Sequence, residues 1–532
     1  MKVHKIIPCF TLILALQGCS PKPPEVTFDP PLPDQFRENN QFITTSQSQV
    51  DLSFWWEQFN DPLLDDLIEE ALKLNFDAQL AYEKINEIRC AYRISKWKYA
   101  PSGGMTGFAQ RIRRSDDLLR IENPLKTSNA TIPTTNIPFR DIPFDEIPFD
   151  QDDFIPRYQN FLFLGFDASW EIDVFGRIAS GKKAAWQTMQ VAIENARDVQ
   201  VIVIAEVARQ YVEILALQER IQVAKSFITS QKEILGLAED LFNAGLASDT
   251  DKTQAKALLD TAQASLPPLE NGLKQSIYQL AFLLGRMPQD LFERLAEKKE
   301  LFSAHDKVPV GIPSDLLRRR ADVRRAEREL QAAHTKIWIA KTDIFPRFFL
   351  TGAIGRLADS GHALLKDENT LWAFGPYFTW PILDMGKILA NVDAKTSQQK
   401  QALINYEKTV ISSLKDVETS LVGYGEENER YKYLNDQVNS EKKLLKLSLE
   451  LFQSGLTNFT DVLQQEATLL TNEDTLVQSK EQVVLNLIAL YKALGGGWEV
   501  NTKAIGAKTI ERAHFVEDKV EPDDTIYYYE EE

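Results

Sequence analysis

The sequence predicts a mainly α-helical chain that also carries membrane β-strands, built as a duplicated helix–strand–strand–long helix hairpin. Three observations predict it. The stretch LFNAGLASDTDKTQAKA at 241–257 recurs as LFQSGLTNFTDVLQQEA at 451–467, with eight identical positions at an offset of 210 residues (451 − 241). Each copy ends a seven-residue apolar repeat, Val207, Ile214, Ile221, Ile228, Leu235 and Phe242 in one and Val417, Tyr424, Tyr431, Val438, Leu445 and Phe452 in the other. A heptad held this long supercoils a helix against its neighbours. Around Trp170 and Trp380 the period changes to two, the pattern of a strand that is apolar on one side and polar on the other.

The chain opens with Lys2 and Lys5, an apolar run from Ile6 to Leu16, and Gln17-Gly18-Cys19. A charged start, a short apolar core and small residues at a cut site read as a secretory signal over 1–18. Leu16-Gln17-Gly18-Cys19 resembles a bacterial lipobox, which makes Cys19 the lipid-attachment residue and leaves Cys90 the free thiol of the mature chain. Residues 19–52 form a lipid-anchored leader, where Pro21, Pro23, Pro24, Pro30, Pro31 and Pro33 forbid a helix. The first structural repeat covers 53–290. Asp61-Pro62 opens an amphipathic helix, since proline suits a first-turn position, and Pro101 stops the next.

Strands follow near 102–113 and 160–175. Phe166, Ala168, Trp170, Ile172 and Val174 fall on one face, and Asp167, Ser169, Glu171 and Asp173 on the other. Between the strands, roughly 114–158 holds a five-residue IPF repeat from Ile137 to Gln151, too rich in proline for helix or central strand, and reads as a long loop. A long helix is expected from near Lys182 to a hairpin tip at Gly245 and Leu246, where Gly-Leu is a C-cap signature. A return helix is expected from Thr250, broken at Pro267-Pro268.

The second repeat, 291–498, begins with a linker and an amphipathic helical stretch from Val308 to Pro346. Strands are expected near 347–357 and 371–384, then a long helix to the tip at Gly455 and Leu456. The strand segment PRFFLTGAIGR at 346–356 matches PSGGMTGFAQR at 101–111 at an offset of 245 (346 − 101). The first copy therefore holds 35 extra residues between its strands (245 − 210). Residues 499–532 form an acidic tail.

Four strands cannot close a barrel, and open strand edges are intolerable in lipid, so several protomers must complete it. A net charge of −17 argues against nucleic acid as a partner. The five histidines, His4, His305, His334, His362 and His514, are dispersed, so no metal cluster is visible. No catalytic grouping appears either, and apart from the lipid on Cys19 no cofactor is expected. Gly176-Arg177-Ile178-Ala179-Ser180-Gly181-Lys182-Lys183 nearly matches a phosphate loop but lacks the Ser or Thr that would hold magnesium.

Four blocks carry a resemblance that spans Ser53 to Trp498. They are Trp55-Trp56 with Phe59-Asn60-Asp61-Pro62-Leu63; Ser169-Trp170-Glu171-Ile172-Asp173 with Phe175-Gly176; Val308-Pro309 with Gly311-Ile312-Pro313-Ser314-Asp315-Leu316-Leu317; and Leu494 to Trp498. This order resembles the outer-membrane efflux channel family, the TolC-like and OprM-like outer-membrane factors of tripartite RND-type pumps, in its lipoprotein branch. The resemblance implies a homotrimer in the outer membrane, with a 12-stranded β-barrel continuous with a 12-helix α-barrel in the periplasm. It implies small-molecule efflux, with a periplasmic adaptor and an inner-membrane transporter docked at the hairpin tips Gly245, Leu246, Gly455 and Leu456. Two other readings stand beside it: the outer-membrane channel of a type I protein secretion system, and a non-conducting periplasmic coiled-coil lipoprotein. The alternating strands argue against the last.

The gate carries over by position. In TolC-like members a Tyr three residues before the second tip glycine and an Arg two residues after it help lock the closed state. Here those positions hold Phe452 and Thr457, and Asp251 in the first tip lacks such partners. Closure is expected to rest on apolar contacts near Phe452 and Leu456. Asp461 stands where a family acidic ring narrows the pore, with Gln464 at another often acidic position three residues on. A cap at a helix N-terminus is an equal reading of Asp251 and of Asp461.

Overall fold

The computed structural model describes residues 33, 35–38, 42–45, 52–113, 158–245, 248–295, 299–302, 308–454 and 456–499. The expectations for Cys19, Leu246, Gly455, the IPF segment and the acidic tail lie outside these residues. A short strand, β1 (Ile43–Thr45), comes first, in the extended leader where no helix is expected. Asp61 then caps α1 (Pro62–Leu74) by accepting the Leu63 amide, with Pro62 at the first helical position. Asn75 separates α1 from α2 (Phe76–Trp97), accepting the Ala78 amide while its own amide donates to the Leu283 carbonyl.

Strands β2 (Ser102–Arg113) and β3 (Tyr158–Ile172) follow. The long helix α3 (Arg177–Asn243) begins at Arg177, not near Lys182. The reason is local: the Asp173 carboxylate accepts the Ile178 and Ala179 amides at 2.9 and 2.7 Å and so fixes the first turn earlier. The near-match to a phosphate loop is thus helical from Arg177 onward. The return helix α4 (Asp249–Leu283) runs unbroken through Pro267 and Pro268. Proline costs a helix about 3 kcal/mol, and burial of Ala255, Leu259 and Ala262 before the pair and Ile277, Leu280 and Ala281 after it holds both sides in register.

The stretch expected to be helical from Val308 starts instead as β4 (Val308–Val310), paired in parallel with β1. Only then come α5 (Pro313–Arg319) and α6 (Ala321–Thr342). Strand β5 (Arg347–Ala358) is followed by β6 (Thr370–Thr379), which ends before Trp380-Pro381; the expected strand to 384 is instead a short 3-10 turn at Ile382–Asp384. The partner strand β5 begins at Arg347, opposite Thr379, so the residues after Thr379 have no strand beside them to pair with on that side. Helices α7 (Met385–Gln453) and α8 (Phe459–Ala493) complete the described chain.

The chain divides into two compact units, and each draws on both sequence copies. In one (Glu87–Met189 and Arg328–Leu403 among the described residues) β2, β3, β5 and β6 form an antiparallel sheet in that order. Ser102 stands opposite Ser169, and Arg347 opposite Thr379. These partners differ by the same 245 and 210 residues that relate the copies in sequence (347 − 102 and 379 − 169). The anchors repeat as well: the Trp170 indole donates to the Tyr99 carbonyl, and the Trp380 indole to the Ile344 carbonyl.

The other unit (Asp29–Asn86, Gln190–Glu327 and Ile404–Glu532, as far as described) holds the main apolar core. Trp55 stacks on Tyr491 at 5.2 Å and Phe59 on Phe302 at 4.8 Å, over heptad residues Val207, Ile214, Val417 and Tyr424. The leader is tied into this unit by the Arg37 and Glu38 amides, which donate to Glu418. At the other end of the chain, Trp498 lies between the Arg197 and Arg324 guanidinium groups at 4.7 and 4.8 Å. Both arginines pair with the buried Glu194.

Candidate functional site

Two places carry chemistry beyond packing: the sheet and the hairpin tips. In the sheet, register decides which side chains share a face. Met105, Phe166, Ile354 and Trp372 form one cross-strand row. All four are more than half exposed, at 73%, 53%, 54% and 66%. Phe374 and Phe378 extend the same face, as their shared parity in sequence predicts. An apolar surface this continuous has no place in water; it matches the outward band of a membrane strand set.

The opposite face carries Thr106, Asp167, Ser169, Glu171 and Thr351. It is less polar than the alternation implies, because Phe108 stacks on Phe163 at 5.3 Å and Phe349 on Tyr377 at 4.9 Å. Glycine makes the room: a Cβ on Gly165 would come within 2.5 Å of the Phe163 ring, and one on Gly355 within 3.0 Å. The ring therefore lies flat along the sheet instead of projecting from it. Strands β2 and β6 are the sheet edges, each paired on one side among the described residues.

At the tips, Gly245 takes φ +74°, the left-handed conformation that ends α3. Asp251 is engaged in a capping box: its carboxylate accepts the Ser248 amide at 3.0 Å and the Ser248 hydroxyl at 2.7 Å. Asp461 accepts the Thr457 hydroxyl at 2.7 Å and remains exposed, as does Gln464 one turn on. Phe452 packs on Phe459 at 5.3 Å in a cluster with Leu463, Ala238 and Ala255 that joins the two hairpins. Leu456 stands apart from this cluster, 74% exposed. The structure thus places Phe452 in an apolar contact and leaves Leu456 largely exposed.

Below the tips α8 is clasped to both long helices. The Arg220 guanidinium on α3 grips Asp474 at 2.6 and 3.1 Å, and Lys480 reaches Glu219 at 3.2 Å. The Ser479 hydroxyl donates to Glu427 on α7 at 2.6 Å. Glu466, buried on α8, accepts the Ser230 hydroxyl of α3; burial pushes its carboxyl up, against the pull of that bond. The sequence reading named none of these groups. One signal was there: Glu466 continues the helical face of Phe459, Val462 and Leu463, an acid where the period demands an apolar residue.

Among the described residues no cluster of His, Cys, Asp and Glu could hold a metal ion, and no helix is long and apolar enough to cross a membrane. The profile of the outer membrane efflux protein family matches residues 146–286 and 312–496. The solvent efflux pump outer membrane protein SrpC of Pseudomonas putida is 29% identical over 446 residues, covering 84% of this chain and 87% of the relative. The cation efflux system protein CusC of Escherichia coli is 26% identical over 515 residues, covering 94% and 100%. A solved structure of the outer-membrane channel OprN superposes with a TM-score of 0.76 at 26% identity, covering 89% of this chain and 99% of that one. The fold is shared with the open-state Neisseria gonorrhoeae MtrE channel, at a TM-score of 0.74 and 24% identity, covering 91% and 100%.

Proposed function

The chain belongs to the outer membrane efflux protein family and is an outer-membrane efflux channel of a tripartite pump; from this we propose that three copies assemble into one conduit. Each contributes four strands to a twelve-stranded barrel and its long helices to a twelve-helix tunnel. The observation that carries this reading is the sheet itself: among the described residues it has four strands, two unpaired edges and one apolar face. Neither the edges nor that face can be left bare, and closure in lipid satisfies both.

In this assembly Cys19 bears the lipid, and the tips around Gly245, Leu246, Gly455 and Leu456 receive the periplasmic adaptor and the inner-membrane transporter. Three Asp461 carboxylates face the axis and favour cations at the constriction, while Phe452 and its neighbours supply apolar closure. The cargo is small molecules, as the names of the solvent and cation efflux relatives support. Channel recordings test the reading: purified protein should size as a trimer and conduct ions in planar bilayers. A monomer that leaves bilayers silent would refute it.

A further inference from the structure

The two free strand edges are related by the same duplication that built the sheet. Within each copy the hairpin register is identical once the offsets are applied: Ser102 opposite Ser169 becomes Arg347 opposite Thr379. The indole anchors obey the same two offsets. One seam inside the chain joins the two hairpins, β3 to β5, with Ser169 opposite Thr351, Trp170 opposite Leu350 and Leu164 opposite Arg356. We infer that the seam between copies repeats this internal seam residue for residue. Strand β6 of one copy then pairs antiparallel with β2 of the next, with Thr379 opposite the second copy's Thr106. This rests on the trimeric barrel proposed above and specifies its interface.

The register follows by carrying β3 forward 210 residues and β5 back 245. Thr379 then meets Thr106 (169 + 210 and 351 − 245), Phe378 meets Gly107, and Phe374 meets Arg111. Its chemistry is consistent. Phe374 and Phe378, 78% and 63% exposed, fall on the outward face together with Gly107 and Arg111. The bulky Phe378 lies opposite a residue without a side chain, and Phe374 opposite a guanidinium, as Leu164 lies opposite Arg356. A one-residue slip would turn the outward aromatics toward the inward set. A two-residue slip keeps the faces but makes the seam between copies unlike the seam within each. Strand stagger must be consistent around a closed barrel, and equal seams let six equivalent hairpins close evenly.

Paired cysteines read the register directly. Residues directly opposite across antiparallel strands have Cα atoms about 4.5–5.5 Å apart, inside disulfide range, while a two-residue slip moves them about 7 Å along the strand. In a Cys90→Ser background, Phe378→Cys combined with Gly107→Cys should give, on mild oxidation in outer-membrane vesicles, a covalent species of three chains that a thiol reductant dissolves. Thr379→Cys with Thr106→Cys should do the same and guards against a fold defect at Phe378. Cross-linking instead by Phe378→Cys with Met105→Cys or Ala109→Cys would overturn the register and leave the trimer standing. A trimer in which no pair cross-links also overturns it, and a monomer in which none does overturns the assembly as well.

Discussion

The two copies of the repeat share a register in the sheet yet part company where the second strand of each hairpin leads into its long helix. In the first, Asp173 accepts the Ile178 and Ala179 amides, and Phe175 stacks on Phe345 at 4.5 Å. In the second, the positions 210 residues on are Leu383 and Met385, and Leu383 is fully exposed. The return helices differ too. Where α4 has Lys256 and Asn271, α8 has Glu466 and Glu481, and Glu466 is buried. The lesson is that duplication preserved the sheet register and the tip sequence, while the entry into the long helix and the body of the return helix were free to specialise.

The comparison can be broken first in the cores. Tyr424 and Ile214, equivalent and fully buried, should cost about 3–5 and 2–5 kcal/mol on truncation to alanine. Phe242→Ala, at a 38% exposed site near the tip, should cost under about 1 kcal/mol. Denaturant midpoints of the detergent-solubilised protein report all three, and similar losses would erase the contrast between core and tip.

The junctions come next. Asp173→Ala removes a carboxylate that accepts two helix-start amides and should cost about 1–2 kcal/mol. Leu383→Ala should stay within about 0.5 kcal/mol. Equal effects in the same denaturation measurement would mean that the two junctions are not specialised.

The return helices can be compared by pH. Burial first, and Glu213 second, push the Glu481 carboxyl up to about 7 from 4.5, against the pull of Arg220 and Arg209. The folded protein then holds this proton more tightly than the unfolded chain. Its stabilising contribution is complete below about pH 4.5 and is lost as pH rises to about 7. Glu481→Asn, which installs the first copy's residue, should stabilise by on the order of 1–2 kcal/mol at pH 8 and not at pH 4. A gain of the same size at both values would exclude titration as the cause.

The smallest effect belongs to the tips. Asp461→Asn should lower cation preference in bilayers by about twofold. Asp251→Asn should leave it unchanged, because that carboxylate is held in the capping box with Ser248. Unchanged selectivity for Asp461→Asn would assign it a capping role alone.

Much of this was legible in the sequence because periodicity is a backbone property. The heptads from Val207 and Val417, the Trp170 alternation and the two offsets read directly onto helices and strands. What escaped depended on partners distant in sequence. Ile43–Thr45 is a strand because Val308–Val310 lies beside it, and a three-residue run carries no period of its own. Pro267 and Pro268 are tolerated because buried residues on either side hold the helix. At the tips, the resemblance to TolC-like channels pointed by position to Phe452 and Asp461, but the clasp of Arg220 to Asp474 joins residues on separate helices and leaves no local pattern. The flat Phe163 ring was hidden for the same reason, since Gly165 and Gly355 had to meet beneath it.

The seat of Trp498 has a consequence for biogenesis. The last described aromatic slots between Arg197 and Arg324, while Gly496 and Gly497 lie against Leu52 and Trp55 near the other terminus. A nascent chain emerging in order cannot seal this core until its final segment arrives, since pairing partners hundreds of residues apart is slow and must await synthesis of both. Truncations short of Trp498 should therefore leave the arginines and Glu194 open to water, so that synthesis through Trp498 becomes a condition of folding.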